Sequence, residues 1–421
     1  MQILLKQVTI IDRTSRYHLQ KKDILFTNGI LTHIENEIIT IADTLIDQPN
    51  TYLSQGFIDS YCNLNSPGYE HNETLQSGAK AAQQGGYTAL MLLPNTLPLT
   101  DNATAIQYLI QQANNLPVSL YPMGAITTYC EGKQLTQMIE MQQQGAVAFT
   151  DGTHPIQQAG ILFKAMQYVQ AFNGVIIQCP TDASLAAQGQ MHEGVLSTQL
   201  GLSGLPAIAE EAMLQRDIAL CAETTSKLHV TGISTAVSIN IIRTAKAAGI
   251  PITCSVSPYH LLLTQAEVDN YNTNAKVNPP LRTQADVTAL QQALVGDIID
   301  CVASHHLPQH TDVKQCEFAN AAFGMSTIQH TFNAVATVPN ITALQIVNLL
   351  QHNVAKAFNL TTQPIAIGNK CNHVIFRLDA HTTVTEASMA SKSNHSAFLD
   401  KQLNGKIIAT LHNQHTYINQ L

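Results

Sequence analysis

The chain has 421 residues, 45% of them hydrophobic and only 12% charged, and 21 Lys and Arg against 29 Asp and Glu leave a formal net charge of −8. An acidic balance without a basic run excludes nucleic acid and an anionic membrane surface as partners. No stretch approaches ~20 uninterrupted apolar residues, so no membrane span is expected. The length calls for about two or three domains, or for one large α/β barrel with an appendage.

The first residues, MQILLKQVTIID, alternate apolar and polar side chains and read as a strand rather than a signal peptide. Residues 1–52 carry turn signals at Asn28-Gly29 and Gln48-Pro49-Asn50, the pattern of short strands in a small β unit. From about residue 55, apolar strand-like runs alternate with helical ones. The strands are predicted at Phe57–Asn63, Thr88–Pro94, Ser119–Gly124, Ala146–Thr150, Val175–Cys179, Lys227–Gly232, Pro251–Ser257 and Ile298–Ser304. Segments such as ETLQSGAKAAQQG and STAVSINIIRTAKAAG have i, i+3/i+4 spacing, and glycines such as Gly145, Gly174 and Gly249 close helices before the next strand.

Repeated βα units of this kind predict an α/β fold, a distorted (β/α)8 TIM barrel over residues 53–363. Two further helical stretches follow, and from about residue 364 the chain returns to short strands such as CNHVIFRL and KIIATLHNQHTYI. Residues 1–52 and 364–421 are therefore expected to pair as one small, β-sandwich-like domain. The eight cysteines are scattered without a CxxC pair, several in apolar runs, which suggests buried thiols and a cytoplasmic location.

Working residues of such a barrel stand at the carboxyl ends of its strands. Those ends read Asp59-Ser60-Tyr61-Cys62-Asn63-Leu64-Asn65, Pro94-Asn95-Thr96, Thr150-Asp151-Gly152, Gln178-Cys179, Thr231-Gly232 and Ser304-His305-His306. The block GFIDSYCNLNSPGYEHNETLQSGAKAAQQGGYTALMLLPNT resembles the first two βα units of the dihydroorotase family in the amidohydrolase superfamily. So do PAIAEEAMLQRDIAL (206–220), SPYHLLLT (257–264), KVNPPLR (276–282) and AAFG (321–324), all in order.

The resemblance implies a zinc site and a substrate site, and it also shows where this chain departs from both. The family's His-x-His-x-Arg positions hold Tyr61, Asn63 and Asn65 here. Its strand 5 and strand 6 ligands are Gln178 and Gly232, and its catalytic aspartate is His305; only the strand 4 acidic position survives, as Asp151. Substrate-contact positions are kept as Asn95, Asn278, Phe323 and Gly324, although the histidine expected in the last loop is Gln309. Neutral amides, a phenol and a glycine are poor ligands for zinc, so no metal, no cofactor and no catalytic residue are expected.

Within the family, the chain is most similar to the non-catalytic dihydroorotase-like subunits that associate with aspartate transcarbamoylase. That similarity implies the transcarbamoylase catalytic chain as partner, a structural role in pyrimidine biosynthesis, and a homo-oligomer. Two other readings stay open: a cyclic-amide hydrolase with a metal site rebuilt around Asp151 and His305, and a sensor using Asn95 and Asn278. His306, Cys179, His229 and His260 stand near enough in the pattern to be weighed for a rebuilt site. The bland alternative for each is a satisfied buried side chain. Arg282 more readily braces its loop than touches a ligand.

Overall fold

The computed structural model describes residues 1–419. Strands β1 (Gln2–Ile11), β2 (Lys21–Thr27), β3 (Ile30–Glu35), β4 (Thr44–Ile46) and β5 (Thr51–Gln55) open the chain. The barrel strands are β6 (Phe57–Cys62), β7 (Tyr87–Leu92), β8 (Ser119–Pro122) and β9 (Val175–Gln178). A two-residue ladder, β10 (Met191–His192) with β11 (Gly204–Leu205), precedes β12 (Lys227–Val230), β13 (Ile252–Val256) and β14 (Cys301–Val302). The chain ends with β15 (Asn372–Thr383), β16 (Gln402–His412) and β17 (His415–Ile418).

The terminal strands form one eight-stranded sheet in the order β17-β16-β15-β5-β1-β2-β3, with β4 alongside β1. Its apolar residues, among them Leu5, Ile10, Phe26, Leu53, Ile375 and Ile408, bury one core of their own. Gly56 links β5 to the barrel, and a Cβ there would fall 2.1 Å from Thr88 Oγ1, so the connection has no room for a side chain. Just beyond it Phe57 stacks on Phe332 and meets Phe376, at 5.8 and 6.1 Å between ring centroids, which joins the sheet to the barrel by apolar contact.

The barrel strands run parallel, β6-β7-β8 in one ladder and β9-β12-β13-β14 in the other. Helices pack between them, several started by a side-chain cap: Leu75–Gln84 by Thr74, Ala236–Ala247 by Thr235 and Gln284–Val295 by Thr283. The strand predicted at Ala146–Thr150 is reduced to single bridges from Phe149 to Gly124 and to Ile176. Its backbone still bonds both sides, with Gly124 N to Ala148 O at 3.0 Å and Phe149 N to Val175 O at 3.0 Å. The ladder is short because the neighbouring β8 stops at Pro122, which has no N–H to give.

The ring closes between β6 and β14. Cys62 bridges His306, and the buried Asp59 carboxylate accepts from Ser304 N at 2.7 Å and Ser304 Oγ at 2.5 Å. Seven of the eight cysteines are buried free thiols and Cys316 is exposed. No described helix is long and apolar enough to cross a membrane.

Candidate functional site

A cavity of about 70 Å³ opens at the carboxyl ends of the barrel strands, lined in part by Tyr61, Cys179, Tyr259, Asn278, His305 and Gly324. Tyr61 leaves β6 and His305 follows β14, so the two straddle the closing seam, and their rings stack with centroids 4.5 Å apart. His305 has φ of 47°, a left-handed conformation that turns its ring into the mouth. Its Nε2 pairs with Thr231 Oγ1 at 2.8 Å. Burial, aided by neighbouring His260 and His229, drives the imidazole down to about 3, so it is neutral at ordinary pH.

Gly232, beside Thr231, also has positive φ (+69°), and a Cβ there would lie 3.0 Å from both Cys179 Sγ and His305 Cε1. His306 lines the same cavity, but its nitrogens face the protein. Nδ1 accepts from Thr327 N at 3.1 Å, and Nε2 lies 3.6 Å from the buried Glu73 carboxylate. Burial works against a charge on Glu73, yet His306, Ser391 and Ser77 outweigh it and hold the carboxyl below its ordinary value.

The remaining strand ends are occupied by their own loops. Asp151 is buried and accepts from Thr127 N at 2.9 Å and from the Thr127 hydroxyl; burial nevertheless raises its carboxyl above the ordinary value. Gln178 is bound at both ends, to Ile156 N at 3.4 Å and to Asp217 Oδ2 at 3.5 Å. Asn63 accepts from Asn65 N at 2.7 Å, and Asn65 gives its amide to Pro308 O at 3.1 Å. Asn95 donates to Asp151 O and accepts from Thr153 N, both at 3.1 Å, so its amide ties the second strand's loop to the fourth's. Among the described residues, no group of three or more His, Cys, Asp or Glu is placed to hold a metal ion.

Comparison with known proteins places this architecture. The "Dihydro-orotase-like" family model matches residues 51–238. A protein named dihydroorotase from Pelotomaculum thermopropionicum is 35% identical over 98% of this chain and 97% of its own length. The chain belongs to the dihydroorotase-like family. A second dihydroorotase, from Caldicellulosiruptor saccharolyticus, is also 35% identical, covering 98% of this chain and 97% of that protein. The fold is that of the hydantoinases. The L-hydantoinase (dihydropyrimidinase) of Arthrobacter aurescens superposes with a TM-score of 0.85 at 20% identity, covering 98% of this chain and 94% of that one.

Within this family fold, the positions singled out from sequence fall into two groups. Tyr61, Asn278, His305 and Gly324 line the cavity. Asn63, Asn95, Asp151, Gln178, Gly232 and Phe323 do not line it. Phe323 instead gives its ring to the Lys276 ammonium at 5.0 Å and its carbonyl to Gln309 Nε2 at 3.0 Å. Thr231, Ser255 and Tyr259 were not singled out, although Tyr259 lines the cavity and the other two lead into it. The only sequence signal for them is their place at or just beyond strand ends. Arg282 lies away from the cavity, bound to Ser234 Oγ at 3.0 Å and Leu205 O at 3.0 Å.

Proposed function

We propose that this chain is a non-catalytic member of the dihydroorotase family, serving pyrimidine biosynthesis as a structural partner of the aspartate transcarbamoylase catalytic chain. The observation that carries this reading is the chemistry of the strand ends. Zinc in a catalytic site takes about three protein ligands from His, Cys, Asp or Glu plus a water. Here Gly232 offers no side chain, Gln178 and Asn63 spend their amides on loop backbone and Asp217, and Tyr61 is a phenol whose proton burial holds firmly. Asp151 and His305 are the ionisable groups left from that set, and each already has a hydroxyl partner, Thr127 and Thr231. These residues do not fit a zinc centre.

Without such a centre nothing brings a water from a pKa of ~15.7 to ~7, and His305 is neither a carboxylate nor free at Nε2 to act as one. The partner follows from family analogy, since a scaffold needs only the fold and its outer surface.

The test is metal analysis of protein purified without chelator or added zinc, with turnover assays on dihydroorotate and carbamoyl aspartate. Sub-stoichiometric metal, no turnover and co-elution with the transcarbamoylase at micromolar concentration are expected; absence of co-elution overturns the partner. The names of the relatives, spanning nearly the whole chain, favour a second reading in which an altered site around Asp151 and His305 hydrolyses cyclic amides. Stoichiometric, tightly held metal together with turnover would establish that one.

A further inference from the structure

A line of hydrogen bonds runs through the barrel wall and ends at His305. Thr253 Oγ1 meets His229 Nδ1 at 2.8 Å, and His229 Nε2 meets Ser255 Oγ at 3.0 Å. Ser255 Oγ donates to Thr231 Oγ1 at 2.7 Å, and Thr231 Oγ1 meets His305 Nε2 at 2.8 Å. His229, Ser255 and Thr231 are fully enclosed, and burial brings both imidazoles down to about 3, so each ring carries a single proton.

Counting donors along this line fixes where that proton sits. Ser255 spends its hydrogen on Thr231, so His229 Nε2 must donate to Ser255, and His229 Nδ1 accepts from Thr253. Thr231 has one remaining acceptor among the described residues, His305 Nε2. His305 therefore carries its proton on Nδ1. That nitrogen has no hydrogen-bond partner among the described residues, and it is not one of their enclosed, unpartnered polar atoms, so it faces solvent-accessible space. His305 is more than nine-tenths buried, and the space it borders is the cavity at the barrel mouth.

Among the described residues, no Asp, Glu, Lys or Arg lines that cavity. An anion there would be stripped of water with no cation to meet it, whereas an uncharged acceptor loses little and gains the imidazole N–H. We propose that the cavity is a receptor for a small, uncharged molecule bearing a hydrogen-bond acceptor, such as a primary amide or a urea, held by the Nδ1–H of His305. Tyr61 fixes the ring by stacking, and the relay from Thr253 fixes its tautomer. The inference rests on the reading above, in which no metal occupies this end of the barrel.

The test is NMR of the full chain with ¹⁵N-labelled histidine, His305 being assigned from the signal lost in His305→Asn. Long-range ¹⁵N–¹H couplings read the tautomer, and acetamide is titrated against acetate, its anionic counterpart of the same shape. Expected are the Nδ1–H tautomer, a saturable shift of His305 with acetamide, and none with acetate. In Thr231→Val the relay is cut, both tautomers appear, and acetamide binds about fivefold more weakly, the order of one neutral hydrogen bond. Thr231→Ser keeps the hydroxyl and should behave as the wild type; if the valine variant fails to fold, the wild-type tautomer and the acetamide–acetate pair decide alone. An Nε2–H tautomer, a shift that never saturates, or acetate binding as well as acetamide would overturn the inference. Those outcomes on metal-free protein leave the proposed function standing, whereas bound metal with turnover removes both.

Discussion

The Tyr61 ring lies on the His305 imidazole across the seam where the barrel closes, with the planes inclined by 30°. The two residues are far apart in sequence, yet Tyr61 stands two residues beyond Asp59 and His305 one beyond Ser304, next to the Asp59–Ser304 bonds that close the ring. The stack therefore fills the mouth where two loops meet. Burial of the phenol and stacking both favour an aromatic ring at position 61.

Replacing that ring tests its role. Tyr61→Phe keeps the stack and should change stability by less than about 1.5 kcal/mol. Tyr61→Ala leaves a void against His305 and should cost about 3–5 kcal/mol, as large aromatic deletions do. Urea unfolding followed by circular dichroism separates the two; equal effects would mean that the stack contributes nothing beyond occupancy of the surface.

Gly232 has a different constraint. Its φ of +69° is a conformation that side-chain-bearing residues rarely adopt, and a Cβ would crowd Cys179 and His305 at 3.0 Å. Gly232→Ala should cost about 1–3 kcal/mol from the backbone conformation alone. Gly232→His should be worse than the alanine and should not by itself bring zinc into the protein, because Gln178 and Asn63 remain amides. Unfolding midpoints and elemental analysis on both variants check this.

Much of the architecture was legible from local pattern. Apolar runs such as Thr88–Leu92 and Val175–Gln178, separated by capped helical stretches, specify barrel strands because each is buried on both faces. The Ala146–Thr150 run has the same composition, but pairing depends on its neighbour, and Pro122 ends that neighbour early. The site is harder to read. Whether Asn95 binds a ligand or braces a loop depends on where the chain around Asp151 and Thr153 comes to lie, nearly sixty positions away. The relay into His305 joins side chains from three separate strand ends, and nothing local in Thr231 or Ser255 announces it.

Lys314 supplies a pH dependence. It is fully enclosed, giving its ammonium to Ala322 O at 3.1 Å and Gly324 O at 2.9 Å, it forms no ion pair with a carboxylate among the described residues, and burial, with Lys276 adding to it, pulls it down to about 7. The unfolded chain holds that proton up to about 10.4. Above pH 7 the unfolded state therefore binds more protons than the folded one, and stability rises with pH, by at most about 1.4 kcal/mol per unit. Buried thiols such as Cys179, pushed up to about 12, act in the opposite sense once free thiols ionise near ~8.5. Between pH 7 and about 8.5 the wild type should grow more stable, and Lys314→Gln should flatten that slope in denaturant titrations.

The buried pair Arg282–Glu210 makes the sharpest stability prediction. Its charges are 3.7 Å apart and both side chains are enclosed. Glu210 also accepts from Ser234 N at 3.0 Å, while Arg282 binds Ser234 Oγ and Leu205 O, so four segments of the chain meet at this one pair. Removing the cation alone strands a carboxylate in a dry interior, and Arg282→Ala should cost about 3–5 kcal/mol. Removing both charges with groups of similar volume, Arg282→Met with Glu210→Gln, should recover most of that loss, because the desolvation of two ions disappears together with their attraction. Arg282→Lys keeps the charge but not the planar fork, and should fall between the two. Denaturation midpoints of the three variants decide the order; a double variant as unstable as Arg282→Ala would show that the hydrogen bonds to Ser234 and Leu205, rather than the charge, hold these segments together.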